Sequence, residues 1–240
     1  SLGDYVKARG FSNRLARDYL LPMGAAIWST PVDRMLDFPA ENFVAFFDNH
    51  RLLHDERPVW RTVEGGSRTY VEKLTASFRD RIRLGAAVTA IRRNRDSVTV
   101  TDSLGHSEEY DHVVIGAHSD QALGMLTDAS AAERDVLGAI RYRPNAVYLH
   151  RDTRLMPKRK RAWAAWNFLR NGADTQASQS SAVTYWMNAL QGIDPACPLF
   201  VSLNPPFEPN PDLVFAHFNC DHPQFDRGAF DAQARLGTIQ

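Results

Sequence analysis

The chain has 240 residues, 44% apolar and 23% charged, the proportions of a globular protein of one large domain or two intimate ones. Lys+Arg and Asp+Glu balance at 28 each, so net charge gives no general electrostatic affinity for nucleic acid or anionic membrane. No apolar run is long enough to span a bilayer, and Ser1-Leu2-Gly3-Asp4 has neither the basic nor the apolar region of a secretory signal.

Residues 2–50 read as several helices. Tyr5, Val6 and Arg9 begin one, Phe11-Ser12-Asn13 interrupts it, and Leu15, Tyr19 and Leu20 keep a helical period up to Pro22. The small apolar run from Met23 to Thr30 is expected to be buried. Thr30-Pro31 offers a helix start with Pro at its first position. Pro39-Ala40-Glu41 offers another, with Phe43, Phe46 and Phe47 on one face. Residues 51–57 are polar and read as loop.

Gly65 and Gly66 come next. Without Cβ atoms they permit φ > 0 and the close approach of a backbone or ligand. Ser67 is a suitable N-cap for a helix over 68–78, where Val71, Leu74 and Phe78 keep helical spacing. Free N–H groups at a helix N-terminus can hold an anion. Diglycine turns are common punctuation, however, and the motif alone favours a plain joint with no ligand.

The period then changes to two. Residues 87–92 and 97–101 read as strands, Ser103-Leu104-Gly105-His106 as a hairpin turn, and 108–110 as the return strand. Val113, Val114 and Ile115 within 112–117 fit a strand buried on both faces. Helices are expected over 120–125 and 130–140. Further strands are expected over 146–150, 162–168, 183–188, 199–203 and 214–220, separated by prolines and a Gln/Ser-rich loop at 171–181. The order is helices, βα elements, sheet, helix, an α+β chain with a mixed sheet flanked by helices. Ser1 is not an initiator Met, and 230–240 is helical in character yet ends without a C-cap signal; both suggest a piece of a longer chain.

No G-x-G-x-x-G, P-loop or G-x-S-x-G is present, so the residues alone give no nucleotide fingerprint and no nucleophile. His217, Cys220, Asp221 and His222 invite a metal reading. A strand would point His217 and Cys220 apart, and turn chemistry accounts for Asp221 and Pro223, so no metal is expected. Cys197 and Cys220 make no disulfide framework; two buried, inert thiols in a reducing cytoplasm are the default. Lys158-Arg159-Lys160-Arg161 could be a phosphate or nucleic-acid patch, but a solvated loop is the favoured reading. Trp163, Trp166, Tyr185 and Trp186 could line a flat apolar cavity or belong to the core, with nothing to choose between the two. Asn167 and Asn188 on the same strands need partners if buried.

The runs Arg61-Thr62-Val63-Glu64-Gly65-Gly66-Ser67, Ala87-Val88-Thr89-Ala90-Ile91, Val98-Thr99-Val100 and Asp111-His112-Val113-Val114-Ile115-Gly116-Ala117, in that order, resemble the flavin-containing amine oxidase superfamily. Leu20-Leu21-Pro22-Met23-Gly24-Ala25-Ala26-Ile27-Trp28, Gly116-Ala117-His118-Ser119-Asp120-Gln121 and Val183-Thr184-Tyr185-Trp186-Met187-Asn188 resemble a bacterial branch of it, described as NAD/FAD-binding oxidoreductases. The resemblance implies a two-domain flavoprotein, with residues 1–57 and 141–240 on the substrate side and 58–140 on the FAD side. It matches Val88 to the position whose backbone pairs with adenine, Gly65 and Gly66 to the turn near FAD, and Gly116 and Ala117 to a strand end that approaches it. The family's N-terminal G-x-G-x-x-G segment and C-terminal Gly-rich segment have no counterpart in these 240 residues, so this piece alone is expected to bind FAD poorly and to be inactive. The implied function is the central part of an FAD-dependent oxidoreductase acting on a small molecule, with no nucleic-acid partner and no membrane span. Trp163, Trp166, Tyr185 and Trp186 are the candidate substrate walls, and no catalytic residue stands out. A non-catalytic domain holding an apolar small molecule is the competing reading. Neither the substrate nor the oligomeric state follows from the sequence.

Overall fold

The structure is a computed structural model that describes residues 1–54, 59–169 and 182–239. The expected 171–181 loop, most of 51–57 beyond His54, and Gln240 lie outside the described residues. The elements run α1 (Leu2–Ala8), α2 (Asn13–Leu15), α3 (Leu21–Trp28), α4 (Ala40–Asn49), α5 (Ser67–Thr75), β1 (Val88–Arg93), β2 (Val98–Asp102), β3 (Ser107–Tyr110), α6 (Ser119–Met125), α7 (Ala131–Gly138), β4 (Tyr142–His150), β5 (Trp166–Leu169), β6 (Ala182–Trp186), α8 (Met187–Gln191), β7 (Phe200–Leu203), β8 (Val214–Pro223) and α9 (Arg227–Gln233). This is an α+β chain with two separate sheets, ordered β1-β2-β3 and β5-β6-β7-β4-β8. Two compact units result, one of Ser1–Tyr70 with Arg143–Asp226, the other of Val71–Tyr142 with Arg227–Gln240.

In the first unit, Pro22 does not end a helix. A π turn over Ala16–Leu20 precedes it, and Pro22 sits in the first turn of α3 with the chain helical on both sides. Gly24 explains how tightly α3 is packed. A Cβ there would lie 2.6 Å from Met35 Cε and 2.9 Å from Phe43 Cε2. Phe43 and Phe47 of α4 stack at 4.2 Å between ring centroids, and Trp28 meets Phe38 at 4.4 Å and Phe46 at 4.9 Å. The helix expected from Thr30-Pro31 is replaced by a 3₁₀ turn over Arg34–Asp37. Thr30 does not cap forward; its hydroxyl donates back to the Trp28 carbonyl at 3.1 Å, and Ser29 closes α3 at φ 47°.

The five-stranded sheet pairs β5–β6, β6–β7 and β7–β4 antiparallel. The partners Asn145/Cys220, Tyr148/His217 and Arg151/Leu213 run in opposite senses along β4 and β8, so β8 is antiparallel too. β4, β7 and β8 lie where the sequence period puts them, whereas the strand expected over 162–168 begins only at Trp166 and the one expected over 183–188 ends at Trp186, with Met187 and Asn188 in α8. Cys197 and Cys220 are both exposed, which corrects the expectation of buried thiols. Cys197 follows α8 in a turn and Cys220 lies on β8 at the sheet edge, the two least covered parts of this region.

In the second unit, β1–β3 form a meander. Asp102 Oδ1 holds its hairpin by accepting from the N–H groups of Leu104 (2.9 Å) and His106 (3.0 Å), and Gly105 takes the positive φ of 83° that the turn needs. Residues 111–117 form no regular element and belong to no sheet, and Val114 is 96% exposed, which corrects the doubly buried strand expected over 112–117. A parallel strand is buried only when other strands flank it, and here none pairs with it. Arg93, the last residue of β1, ties the meander to the start of α7 through Asp128 and Glu133.

Candidate functional site

The four expected wall aromatics fall into two pairs on opposite faces of one sheet. Trp166 lies opposite Tyr185 in the β5–β6 ladder, and their rings meet edge to face at 5.1 Å and 89°. Trp186 follows Tyr185 directly, so the pleat turns it to the other face, opposite Phe200 of β7. Trp163, in the loop before β5, packs edge-on to Trp186 at 5.3 Å and to Phe200 at 5.7 Å. Its indole N–H donates to the Pro157 carbonyl at 2.8 Å. Trp166 is half-exposed and available to a ligand, whereas Trp163 holds its own loop in place. Burial pushes the Tyr185 hydroxyl pKa up, so that phenol stays neutral at ordinary pH.

On the Trp186 face runs a buried polar row that sequence reasoning missed. His150 is wholly buried; its Nδ1 accepts the Asp152 N–H at 3.1 Å, so the ring proton sits on Nε2 and is donated to Ser202 Oγ at 2.8 Å. Ser202 in turn bonds Thr184 at 2.7 Å. The signal was present in the sequence as polar residues inside otherwise apolar strands. Asp152 is held far below the usual carboxylate range by Arg154, and it also accepts the Asn210 N–H at 2.8 Å. The two asparagines found the partners that burial demands. Asn167 bonds both the N–H and the carbonyl of Ala164. Asn188 bonds the carbonyls of Asp194 and Cys197 and the N–H of Leu199.

Of the expected cofactor residues, Gly65 and Gly66 lie in the first unit, and Val88, Gly116 and Ala117 in the second. Gly65 (φ 78°) and Gly66 (φ 81°) are both left-handed, and the Gly66 N–H closes the turn on the Val63 carbonyl at 3.0 Å. A Cβ on Gly65 would strike Thr69 Cγ2 at 2.9 Å, whereas one on Gly66 would meet nothing within 4 Å. Ser67 is the first helical residue and not the cap. Val88 stands at a bulge, where the β1–β2 register slips between Val88 and Ala90. Gly116 is open on its Cα side, and just beyond it His118 Nδ1 and Ser119 Oγ are buried atoms with no hydrogen-bond partner. The His118 ring stacks on Tyr142 at 4.4 Å. The second unit thus has an open stretch of backbone at Gly116 beside unmet polar atoms, an arrangement that fits a polar ligand.

The helices of the first unit also enclose an apolar groove of about 240 Å³, with Leu2, Tyr5, Leu15, Leu20, Phe43 and Phe47 among its walls. Among the described residues, no group of three or more His, Cys, Asp or Glu could hold a metal ion, and no helix is long and apolar enough to cross a membrane. His217 stacks on Tyr148 at 4.1 Å.

Residues 8–204 match the family model described as flavin containing amine oxidoreductase. The chain belongs to this family. Amine oxidoreductases of the family are flavoproteins, and the solved structures this chain resembles agree in fold. A conjugated-linoleic-acid-producing fatty acid isomerase from P. acnes superposes with a TM-score of 0.65 at 12% identity, covering 100% of this chain and 58% of its own. Two redesigned putrescine oxidase variants give TM-scores of 0.65 and 0.64 at 13% and 12% identity, covering 98% and 99% of this chain. They are covered over 60% and 58% of their own length, so this chain spans about three fifths of the amine oxidoreductases it resembles. At such identities the likeness is one of fold. No curated protein matches the chain.

Proposed function

We propose that these 240 residues are the central part of an FAD-dependent oxidoreductase of the amine oxidase type, with residues 1–57 and 141–240 on the substrate side and 58–140 on the FAD side. The family match over residues 8–204 carries this reading. The open, left-handed Gly66, the bulge at Val88 and the unmet polar atoms beyond Gly116 and Ala117 support the cofactor half. So do apolar side chains that a completed FAD domain would cover: Leu84 is 89% exposed and Val114 96%. When bound, FAD would supply the redox chemistry, taking a hydride equivalent from a C–H group as the C–N or C–C bond beside it becomes double. The chain's own part is to bind and orient. Gly65 and Gly66 admit the cofactor closely, and the Val88 backbone offers its peptide groups to the adenine. Trp166 and Tyr185, set edge to face, present an apolar corner to the substrate. Trp163 and Trp186, on the other face, support that sheet from behind. The pyrophosphate-holding role is assigned to none of these 240 residues, which contain no G-x-G-x-x-G.

Flavin absorbance and fluorescence test the proposal, on this chain and on the protein extended at both ends. Flavin on the extended protein alone is the expected result. A folded extended protein without flavin overturns it. In the flavin-loaded extended protein, Trp166→Ala is expected to raise KM about tenfold, the worth of one well-placed aromatic contact. Unchanged turnover and affinity would remove Trp166 from the wall. The apolar groove favours a second reading, a non-catalytic holder of an apolar small molecule. Saturable binding of an apolar fluorophore by an extended protein that never takes up flavin would favour that reading.

A further inference from the structure

One end of the five-stranded sheet gathers cations. The segment from Arg151 to Trp163 holds six Lys and Arg (Arg151, Arg154, Lys158, Arg159, Lys160, Arg161) against the single carboxylate of Asp152, in a chain whose formal net charge is zero. Asp152 is buried and spent on Arg154. Lys158, Arg159, Lys160 and Arg161 are all exposed, and none makes an ion pair among the described residues.

This run is held in shape. It winds through a 3₁₀ turn at Lys160–Ala162, closed by the Ala162 N–H on the Arg159 carbonyl (2.8 Å) and the Trp163 N–H on the Lys160 carbonyl (3.0 Å). Leu155 and Met156 are buried before it. Trp163 is wedged against Trp186 and Phe200 after it, with its indole N–H tied back to Pro157. The Lys160 ammonium rests 5.8 Å from the Trp163 ring centroid. The backbone that carries the four charges is therefore a fixed knuckle, and little backbone freedom is lost when they meet a partner.

Exposed aromatics accompany it. Phe207 lies 5.7 Å under the Arg154 guanidinium and is 43% exposed, and Phe215, at the start of β8, is 60% exposed. β8 begins at this end of the sheet, since the Arg151 N–H bonds the Leu213 carbonyl. The nearest acids on the neighbouring segment are Glu208, which sits beside the Tyr148 hydroxyl, and Asp212. Exposed cations at the same end of the sheet as exposed phenylalanines match the charged headgroups and apolar boundary of a lipid leaflet.

We propose that this sheet end docks the protein peripherally on an anionic membrane surface, with Lys158–Arg161 on the headgroups and Phe207 and Phe215 at the acyl boundary. The assignment does not depend on the flavoenzyme reading. Each cation near such a surface changes partitioning about fivefold, so the four together are worth a few hundredfold at low salt. The test is co-sedimentation of the intact protein with phosphatidylcholine vesicles and with vesicles containing about a third phosphatidylglycerol, at low and high salt. Binding only to the anionic vesicles, reversed by salt and lost in the quadruple variant K158Q/R159Q/K160Q/R161Q, is the expected outcome. Circular dichroism confirms that the variant is folded, and Phe207→Ser, which keeps every charge, is expected to weaken binding several-fold. Failure of the native protein to bind anionic vesicles overturns the proposal. So does equal binding by the quadruple variant. Tighter, salt-sensitive binding of single-stranded RNA than of the vesicles overturns it in favour of a nucleic-acid partner.

Discussion

His150→Ala is expected to destabilise the first unit by about 3–5 kcal/mol. The ring is wholly buried, so truncation opens a cavity. It also strips the Asp152 N–H of its acceptor and Ser202 of its donor, and both groups are buried. His150→Phe separates the two effects. It refills the volume, and a remaining loss of about 2 kcal/mol would be the worth of the hydrogen bonds alone. Urea unfolding followed by tryptophan fluorescence measures both, and a His150→Phe variant as stable as the native protein would show the polar row contributes nothing. The same ring sets a pH limb. Burial holds its pKa below 6.5, outweighing the opposing influence of Asp152. Protonation would also force Nδ1 to donate where it now accepts. The unfolded chain takes up that proton as pH falls through about 6.5, while the folded chain does not. Stability is therefore full above about pH 6.5 and declines below it, at up to about 1.4 kcal/mol per pH unit. His150→Phe should flatten this limb.

Arg93→Ala is expected to cost the second unit about 3 kcal/mol. One guanidinium makes six hydrogen bonds' worth of joinery with its own backbone N–H: two to the Glu133 carboxylate, at 2.6 and 3.0 Å, and the rest to Asp128. Glu133 is buried and closes the capping box of α7, accepting the Ser130 N–H at 2.6 Å. Removing Arg93 leaves that buried carboxylate with a single partner. Arg93→Lys keeps the charge but cannot fork to two carboxylates, so it should recover only part of the loss. Arg93, and after it the Ser130 N–H, hold the Glu133 pKa down at about 2, from 4.5. The folded value is depressed, so the stabilisation is complete above about pH 4.5 and fades as pH falls through about 2. It amounts to about 2 kcal/mol after solvent screening. Calorimetry across pH 2–6 checks the sign. An Arg93→Ala protein that keeps the native acid dependence would show that Glu133 owes its low pKa to something else. The His150 limb opens at about pH 6.5 and the Glu133 limb only below about pH 4.5, so the interval between them reads His150 without Glu133.

Much of this architecture is legible in local pattern. The β1–β3 meander follows from period-two runs around Ser103-Leu104-Gly105-His106, and α4 from Phe43, Phe46 and Phe47 behind Pro39. What pattern misses is context. Val113-Val114-Ile115 reads as an interior strand, but a strand is made by its neighbours, and none pairs with it. Pro22 reads as a stop, but a preceding π turn absorbs it. The aromatic quartet could have been divided from the sequence alone: Tyr185 and Trp186 are consecutive on a strand and cannot share a face. Trp163 was not legible, because its role rests on a bond to Pro157 that no spacing rule announces. The members of the His150 row show as polar residues in apolar strands, but their bonding to one another does not, since they are separated by up to 52 positions.

The tryptophans carry a practical consequence. All five (Trp28, Trp60, Trp163, Trp166 and Trp186) belong to the unit of Ser1–Tyr70 and Arg143–Asp226, and the other unit has none. Selective tryptophan emission is thus a one-sided optical reporter. It sees the His150 variants directly and is blind to the melting of the Arg93 unit, except through tyrosine. A sample in which that unit had unfolded could keep a native tryptophan spectrum. Far-ultraviolet dichroism and tryptophan emission recorded on one sample would separate the transitions of the two units wherever these do not coincide, without labelling either unit.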